Sequence, residues 1–235
     1  MRTALKVSLA AMLFSSTAVF AAGVKLAGQF LYAAPGVDSG HFTESVVLLV
    51  QHEDSGSLGL VVNRPTRVPL REALADLGDI DDPDLRLYSG GPVQPEAVLA
   101  LVRPVKPPAG AQRVLPDVYF STDVSHLKEA ARRPGASSRL RVYAGYAGWA
   151  PGQLAEELKA GAWVVGPARA SAVFADDPTT LWPEVHELMR RTEARRQPGP
   201  PQSRTASTSI SKPTVGDPNA PNHAMPSATK SISTR

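Results

Sequence analysis

Between residues 26 and 191 short apolar runs alternate with turn residues, and the runs fall into two periodicities. Gln29–Ala34 is a brief apolar run ending at Pro35-Gly36, the pattern of a strand followed by a turn. Val46–Val50 and Gly59–Val62 are continuous, largely aliphatic runs, the mark of strands covered on both faces. The turn-rich Glu53-Asp54-Ser55-Gly56 between them predicts a hairpin. Asn63-Arg64-Pro65 should end the second strand, because a residue before proline is pushed out of the helical region. Leu70, Leu74 and Leu77 share one helical face, so the spacing predicts a helix over Pro69–Leu77, stopped by Gly78. Leu85–Tyr88, Val98–Val102 and Val118–Ser121 read as short strands, the first two flanking Gly90-Gly91-Pro92. Asp123 or Ser125 caps a helix running to about Arg133. Leu140–Ala144 is a strand leading into a glycine-rich corner, Pro151–Ala160 a helix ended by Gly161, and Trp163–Val165 a returning strand. Leu181–Arg191 closes the unit as a helix with Leu181, Val185, Leu188 and Met189 inward. This irregular order of strands and helices argues for an α+β domain over residues 22–191 rather than a regular βαβ array.

The two ends differ from this middle. Arg2 and Lys6 precede an apolar stretch from Val7 to Phe20, and Val19-Phe20-Ala21 supplies a cleavage site. Residues 1–21 thus have the layout of a signal peptide, which predicts a periplasmic or secreted product beginning at Ala22. The apolar stretch is short for a membrane span, so no transmembrane segment is expected after cleavage. An uncleaved anchor or an early start codon would leave a cytoplasmic protein instead. Residues 192–235 are rich in Pro, Ser and Thr and poor in large apolar side chains, the composition of a disordered tail.

Charge changes the picture only once it is divided. The 235-residue chain carries a formal +3. Residues 1–21 contribute +2 and residues 192–235 a further +4, so the middle of the chain carries −3. A basic footprint for nucleic acid is therefore not evident in the folded part, and aromatic residues at 6% are sparse for a base-stacking platform. The absence of cysteine excludes disulfides, thiol catalysis, thiolate zinc sites and iron–sulfur clusters.

The densest motif is Gly145-Tyr146-Ala147-Gly148-Trp149-Ala150-Pro151-Gly152-Gln153-Leu154. A helix opening from a glycine corner exposes free N–H groups and so suits an anion. The same decapeptide also reads as a packed corner with Trp149 as its plug. Asn63-Arg64-Pro65 places a guanidinium at a strand end, where it clamps a carboxylate or phosphate or satisfies nearby carbonyls. Gly90-Gly91-Pro92 lines a cleft with backbone donors or forms an ordinary turn. His52, beside Glu53 and Asp54, is a candidate general base or a structural histidine. His126, His186 and His223 lack metal spacing, and the acidic Asp79–Asp84 loop fails the calcium pattern because Pro83 falls at a ligand position.

Five of these blocks, in this order, resemble the YqgE/AlgH family of bacterial proteins. They are Gly28–Leu31 with Pro35-Gly36; Phe42 with Ser45–Leu49 and His52; Gly59–Thr66; Gly90–Val93; and the decapeptide from Gly145. The resemblance implies a single compact α+β domain with a mixed, bifurcated sheet curled towards a barrel and several short helices. It also implies a regulatory role, since one member is linked to control of alginate synthesis. Two departures stand out. Family members often have Asp-Pro where this chain has Ser39-Gly40, and some have a cysteine where this chain has Val50-Gln51, which removes any thiol-based role.

The expected function is accordingly a non-enzymatic regulatory or ligand-binding domain. Its candidate surface comprises His52, Asn63, Arg64, Gly90, Gly91, Pro92, Gly145, Gly148, Trp149 and Gln153, for a small anionic ligand or a protein partner, with no metal and no cofactor. The alternatives are a hydrolase using His52 as base and Arg64 as electrostatic stabiliser, with the glycine corner as oxyanion site, or a transcriptional regulator if the chain is not exported.

Overall fold

The computed structural model describes residues 26–196 except 37–39, 76–77, 79 and 81. The expected signal peptide, Asp38, Ser39, Asp79, Asp81 and the end of the helix expected over 69–77 lie outside the described residues, as do residues 197–235 of the tail expected over 192–235; residues 192–196 are instead helical, continuing the closing helix beyond Arg191, where it was expected to end. Among the described residues ten strands make one mixed sheet: β1 Gln29–Ala33, β2 Val46–Glu53, β3 Gly56–Val61, β4 Pro65–Pro69, β5 Arg86–Ser89, β6 Val93–Val102, β7 Gln112–Leu115, β8 Val118–Ser121, β9 Leu140–Trp149 and β10 Trp163–Pro167. The helices are α1 Leu70–Ala73, α2 Val124–Ala131, α3 Gln153–Lys159, α4 Ala170–Val173 and α5 Leu181–Arg196. Among the described residues no helix is long and apolar enough to cross a membrane.

The sheet runs β10-β1-β2-β3-β9-β6-β8-β7 and forks at β9. On one edge β9 pairs with β6. On its other edge it pairs in parallel with β5 through Val142–Ala144 and then antiparallel with β3 through Ala147–Trp149. The sheet curls but stays open. Near its β7 end, Gln112 reaches across to β2, donating to the Val50 carbonyl and bonding the Gln51 side chain, both at 3.0 Å.

Curling buries both faces. Along β2, Val46, Leu48 and Val50 enter a central cluster with Phe30, Leu60, Leu101 and Tyr143, which α4 and α5 cap with Val173, Phe174 and Met189. Val47 and Leu49 enter an outer cluster with Leu31, Trp149, Leu154 and Trp163, under α3. This explains why the Val46–Val50 run is unbroken rather than alternating. A third cluster, Leu70, Leu127, Leu140 and Val142 with their neighbours, lies under α1 and α2.

Burial also sets the behaviour of the tyrosines. It pushes Tyr32 up to about 12, and it raises Tyr88 and Tyr143 above the ordinary phenol value. Phenols held protonated by the fold contribute stability below pH 10 that is lost as pH rises towards 12. Alkaline difference spectroscopy should therefore show a fraction of the five tyrosines ionising only as the circular dichroism signal collapses. Smooth ionisation of all five without unfolding would contradict this burial.

Several elements differ from the sequence reading. Pro65 does not simply end a strand: β4 begins there, tolerated because it is an edge strand paired only with β5. α1 is a single turn, ending at Leu74 in a non-helical conformation. The strand expected over Val98–Val102 starts at Val93 and passes an irregularity where Gln94 has φ 47°. β7 and α4 had no clear apolar signature.

The largest difference lies at the glycine-rich corner. The chain does not turn there; β9 continues to Trp149, and α3 begins only at Gln153. Gly145, with φ 70°, instead lies within the strand, opposite the irregularity of β6 between Val93 and Val98. It exchanges the faces of β9. Before it, Tyr143 points to the central cluster and Val142 outward; after it, Tyr146 points to the centre while Ala147 and Trp149 point outward.

Candidate functional site

The sequence-predicted residues separate into three places. The first is the fork. After β5, the segment Gly90-Gly91-Pro92 crosses β9 to begin β6 on its other edge, so one backbone passes directly over another. A Cβ on Gly90 would lie 2.2 Å from the Gly145 carbonyl oxygen, and one on Gly91 2.2 Å from the Tyr146 carbonyl carbon. A Cβ on Gly145 would lie 2.5 Å from the Gly91 oxygen. The Gly90 N–H donates to Ala144 and its carbonyl accepts from Val61, each at 2.9 Å, tying β5 and β3 together at the fork. At these glycines backbone fills the space a side chain would take, and this lets three strands meet.

The second place is the turn at residues 40–45. Asn63, 8% exposed, accepts from the Val46 N–H and donates to the Glu44 carbonyl, both at 2.9 Å. That pair holds Glu44 at φ 55°, a left-handed backbone unusual for a residue with a side chain. Arg64 donates through one terminal nitrogen to the His41 carbonyl and through the other, at 2.8 Å, to Thr43. Partial burial pulls the Arg64 guanidinium below its usual pKa. Between those carbonyls Phe42 turns inward, stacked 6.2 Å from Trp149 and edge-on 5.6 Å from Trp163. The two indole N–H groups donate to the same Glu157 oxygen, at 2.8 and 2.7 Å. Gln153 closes the network: its side-chain oxygen accepts from the Ala150 N–H, and its nitrogen donates to the other Glu157 oxygen. The start of α3, expected to hold an anion, therefore sits beside a carboxylate of the chain itself. Asn63, Arg64, Trp149 and Gln153 thus belong to one construction, and it fastens a loop.

The third place is the mouth of the curled sheet. A groove of about 420 Å³ lies over the ends of β2, β3 and β9 and the start of β6. Its lining includes Gln51, Glu53, Leu58, Val93, Tyr146 and Gly148. Gly148 keeps the floor low, since a Cβ there would press on Val93 and the Tyr146 ring at 3.3–3.4 Å. His52 lies between Gln51 and Glu53 on the strand and so faces the other way; its Nδ1 is 2.7 Å from the Ser57 hydroxyl at an exposed position. The hydrolase assignment to His52 and Arg64 thus has its two members directed at Ser57 and at loop carbonyls. A second cavity of about 230 Å³ opens beside the mouth, with Gln112, Ser121, Asp123 and His126 among its walls.

Sequence reasoning missed Glu157, Gln51, Glu53, Tyr146, Ser121 and Arg141. Arg141 is 5% exposed, donates to the carbonyls of Ser137 and Ala175, and packs within 5.3–5.5 Å of the Tyr88 and Phe174 rings. The one available signal was alternation: if His52 faces out, Gln51 and Glu53 face the opposite side.

A curled, forked α+β sheet with a latched turn over an aromatic cluster defines the class. The chain matches the AlgH-like family model (DUF179) over residues 30–193 and belongs to that family. A UPF0301 protein of Streptomyces coelicolor is 37% identical over 171 residues, covering 70% of this chain and 87% of the relative. One from Chlamydia felis is 33% identical over 158 residues, covering 67% and 83%. The solution structure of the AlgH protein from Pseudomonas aeruginosa matches with a TM-score of 0.60 at 28% identity, covering 76% of this chain and 97% of that one. A crystal structure of a Corynebacterium diphtheriae protein matches with a TM-score of 0.57 at 28% identity, over 74% and 87%.

Proposed function

We propose that the chain is a binding domain whose ligand seats in the groove at the mouth of the sheet. The observation that carries this is the groove's composition: a glycine floor, walls of Leu58, Val93 and Tyr146, and Glu53 as the one charged side chain lining it. Its volume lies within the range of ligand pockets. An open groove that sets Leu58, Val93 and Tyr146 beside the polar Gln51, Ser55 and Ser57, with a single carboxylate, suits an ammonium or guanidinium on an aliphatic stem, such as a lysine or arginine side chain of a partner protein. This replaces the anionic ligand suggested by the sequence, because Arg64 spends both terminal nitrogens on the loop at 41–43. The export signal read at residues 1–21 would put that partner in the periplasm or outside the cell.

The test is an amide-resolved NMR titration of the full chain with N-acetyl-lysine methylamide and, separately, N-acetyl-glutamate methylamide. Glu53 is exposed, so the affinity for such a fragment should be on the order of 1 mM. The lysine probe should shift Leu58, Val93, Tyr146 and Gly148, and Glu53→Lys should abolish the response. Equal response to both probes, or none at these residues, would sink the reading.

A further inference from the structure

We infer that Ser121 and His126, in the second cavity, form a nucleophile–base pair able to take an acyl group from small carboxylic esters. Ser121 is the last residue of β8, 5% exposed, and it lines the cavity. Its Oγ lies 2.7 Å from His126 Nδ1 and accepts a hydrogen bond from the Asp123 N–H at 3.0 Å. With that N–H occupying one lone pair, and with the ring proton on Nε2, the hydroxyl hydrogen is directed at Nδ1. One lone pair of Oγ stays free for attack.

The arrangement exceeds what local structure needs. The cap of α2 is supplied by the Asp123 carboxylate, which accepts from the Ser125 N–H at 2.7 Å. The turn before the helix needs only the Ser121–Asp123 bond. The histidine contact adds a base to a hydroxyl that already has its structural partner, and both groups face open volume. Phe120 supplies an apolar wall there, while Gly110, with no atom within 4 Å of its Cβ position, leaves the rim open. His52 and Ser57 are also 2.7 Å apart and Ser57 lines the groove, but the base of that pair, His52, is exposed and lines neither cavity.

The chemistry balances with ester and water alone. Ser121 Oγ bonds to the carbonyl carbon while its proton passes to His126 Nδ1. The bond to the leaving oxygen breaks, and that oxygen departs as alcohol with the proton from Nδ1. Water then attacks the acyl-serine, giving its proton to Nδ1. His126 returns it to Oγ as the carboxylic acid leaves. A positioned base of this kind contributes roughly 10²–10⁴-fold. The inference uses residues apart from the groove, so it and the proposed binding role can fail separately.

The experiment treats the full chain with p-nitrophenyl acetate and follows both nitrophenolate release and acetylation by intact mass and peptide mapping. The expected result is acetyl on Ser121, no adduct at that position in Ser121→Ala, and acetylation of Ser121 slowed at least ten-fold in His126→Gln. Thermal melts check that each variant is folded. Should Ser121→Ala fail to fold, the wild-type map and His126→Gln still decide. An adduct only on His126, no adduct at Ser121, or equal rates in wild type and His126→Gln would overturn the inference.

Discussion

Gly91→Ala is expected to cost at least about 3 kcal/mol of stability, a large part of what a domain of this size has to spare. The reason is the crossing at the fork. A methyl on Gly91 would sit 2.2 Å from the Tyr146 carbonyl carbon and 2.4 Å from the Ala147 nitrogen. Those atoms are backbone of β9, the strand shared by both branches of the sheet, so no side-chain rotation relieves the clash. The residue also holds φ 150°, which an alanine adopts only under strain. Gly161→Ala separates the two causes. Gly161 has φ 76° but nothing within 4 Å of its Cβ position, so it should lose only about 1 kcal/mol from backbone strain. Urea midpoints for the two variants, with m-values compared, give the difference directly. If Gly91→Ala unfolds within 1 kcal/mol of Gly161→Ala, the close crossing is wrong.

The legibility of this chain follows the range of its interactions. Val46–Val50 declared two buried faces because an unbroken aliphatic run has no solvent side, and the sheet does cover it twice. The β2–β3 hairpin was readable because its turn is local. The fork was not: β5 pairs with β9 some fifty residues later, and no local pattern encodes a parallel partner at that distance. Gly90, Gly91 and Gly145 were visible as unusual, yet a glycine that admits a ligand and one that admits another strand look alike in sequence. Arg64 shows the same limit. Its guanidinium was expected to meet oxygens, and it does; that they are the carbonyls of His41 and Thr43 depends on the loop folding back. In the groove, Gln51 and Glu53 were overshadowed by the more reactive-looking His52 between them. Ser121 and His126 straddle a strand end and a helix start, where neither periodicity gives their relative orientation.

Glu157 carried no sequence signal, being one glutamate on a short helix, and Glu157→Ala is expected to cost about 2–5 kcal/mol. Its carboxylate accepts hydrogen bonds from three donors: the indoles of Trp149 and Trp163 at 2.8 and 2.7 Å, and the Gln153 side chain at 2.9 Å. Trp149 and Trp163 are 5% and 6% exposed, so water does not readily replace the lost acceptor. Each buried donor left unpaired costs about 1–3 kcal/mol. Glu157→Gln keeps one carbonyl oxygen for the indoles but turns an NH₂ group towards the Gln153 nitrogen, also a donor, so a smaller loss of about 1 kcal/mol is expected. The consequence reaches beyond α3. Phe42 stacks on Trp149, so loosening the indoles frees the turn that Asn63 and Arg64 hold from its other side. Glu157→Ala should therefore lower the urea midpoint, shift tryptophan emission to the red and speed hydrogen exchange at residues 42–45. Glu157→Gln should do each of these to a lesser degree. A Glu157→Ala protein within 0.5 kcal/mol of wild type, with unchanged emission, would mean that the two indoles do not depend on this carboxylate and that the aromatic cluster is held by packing alone.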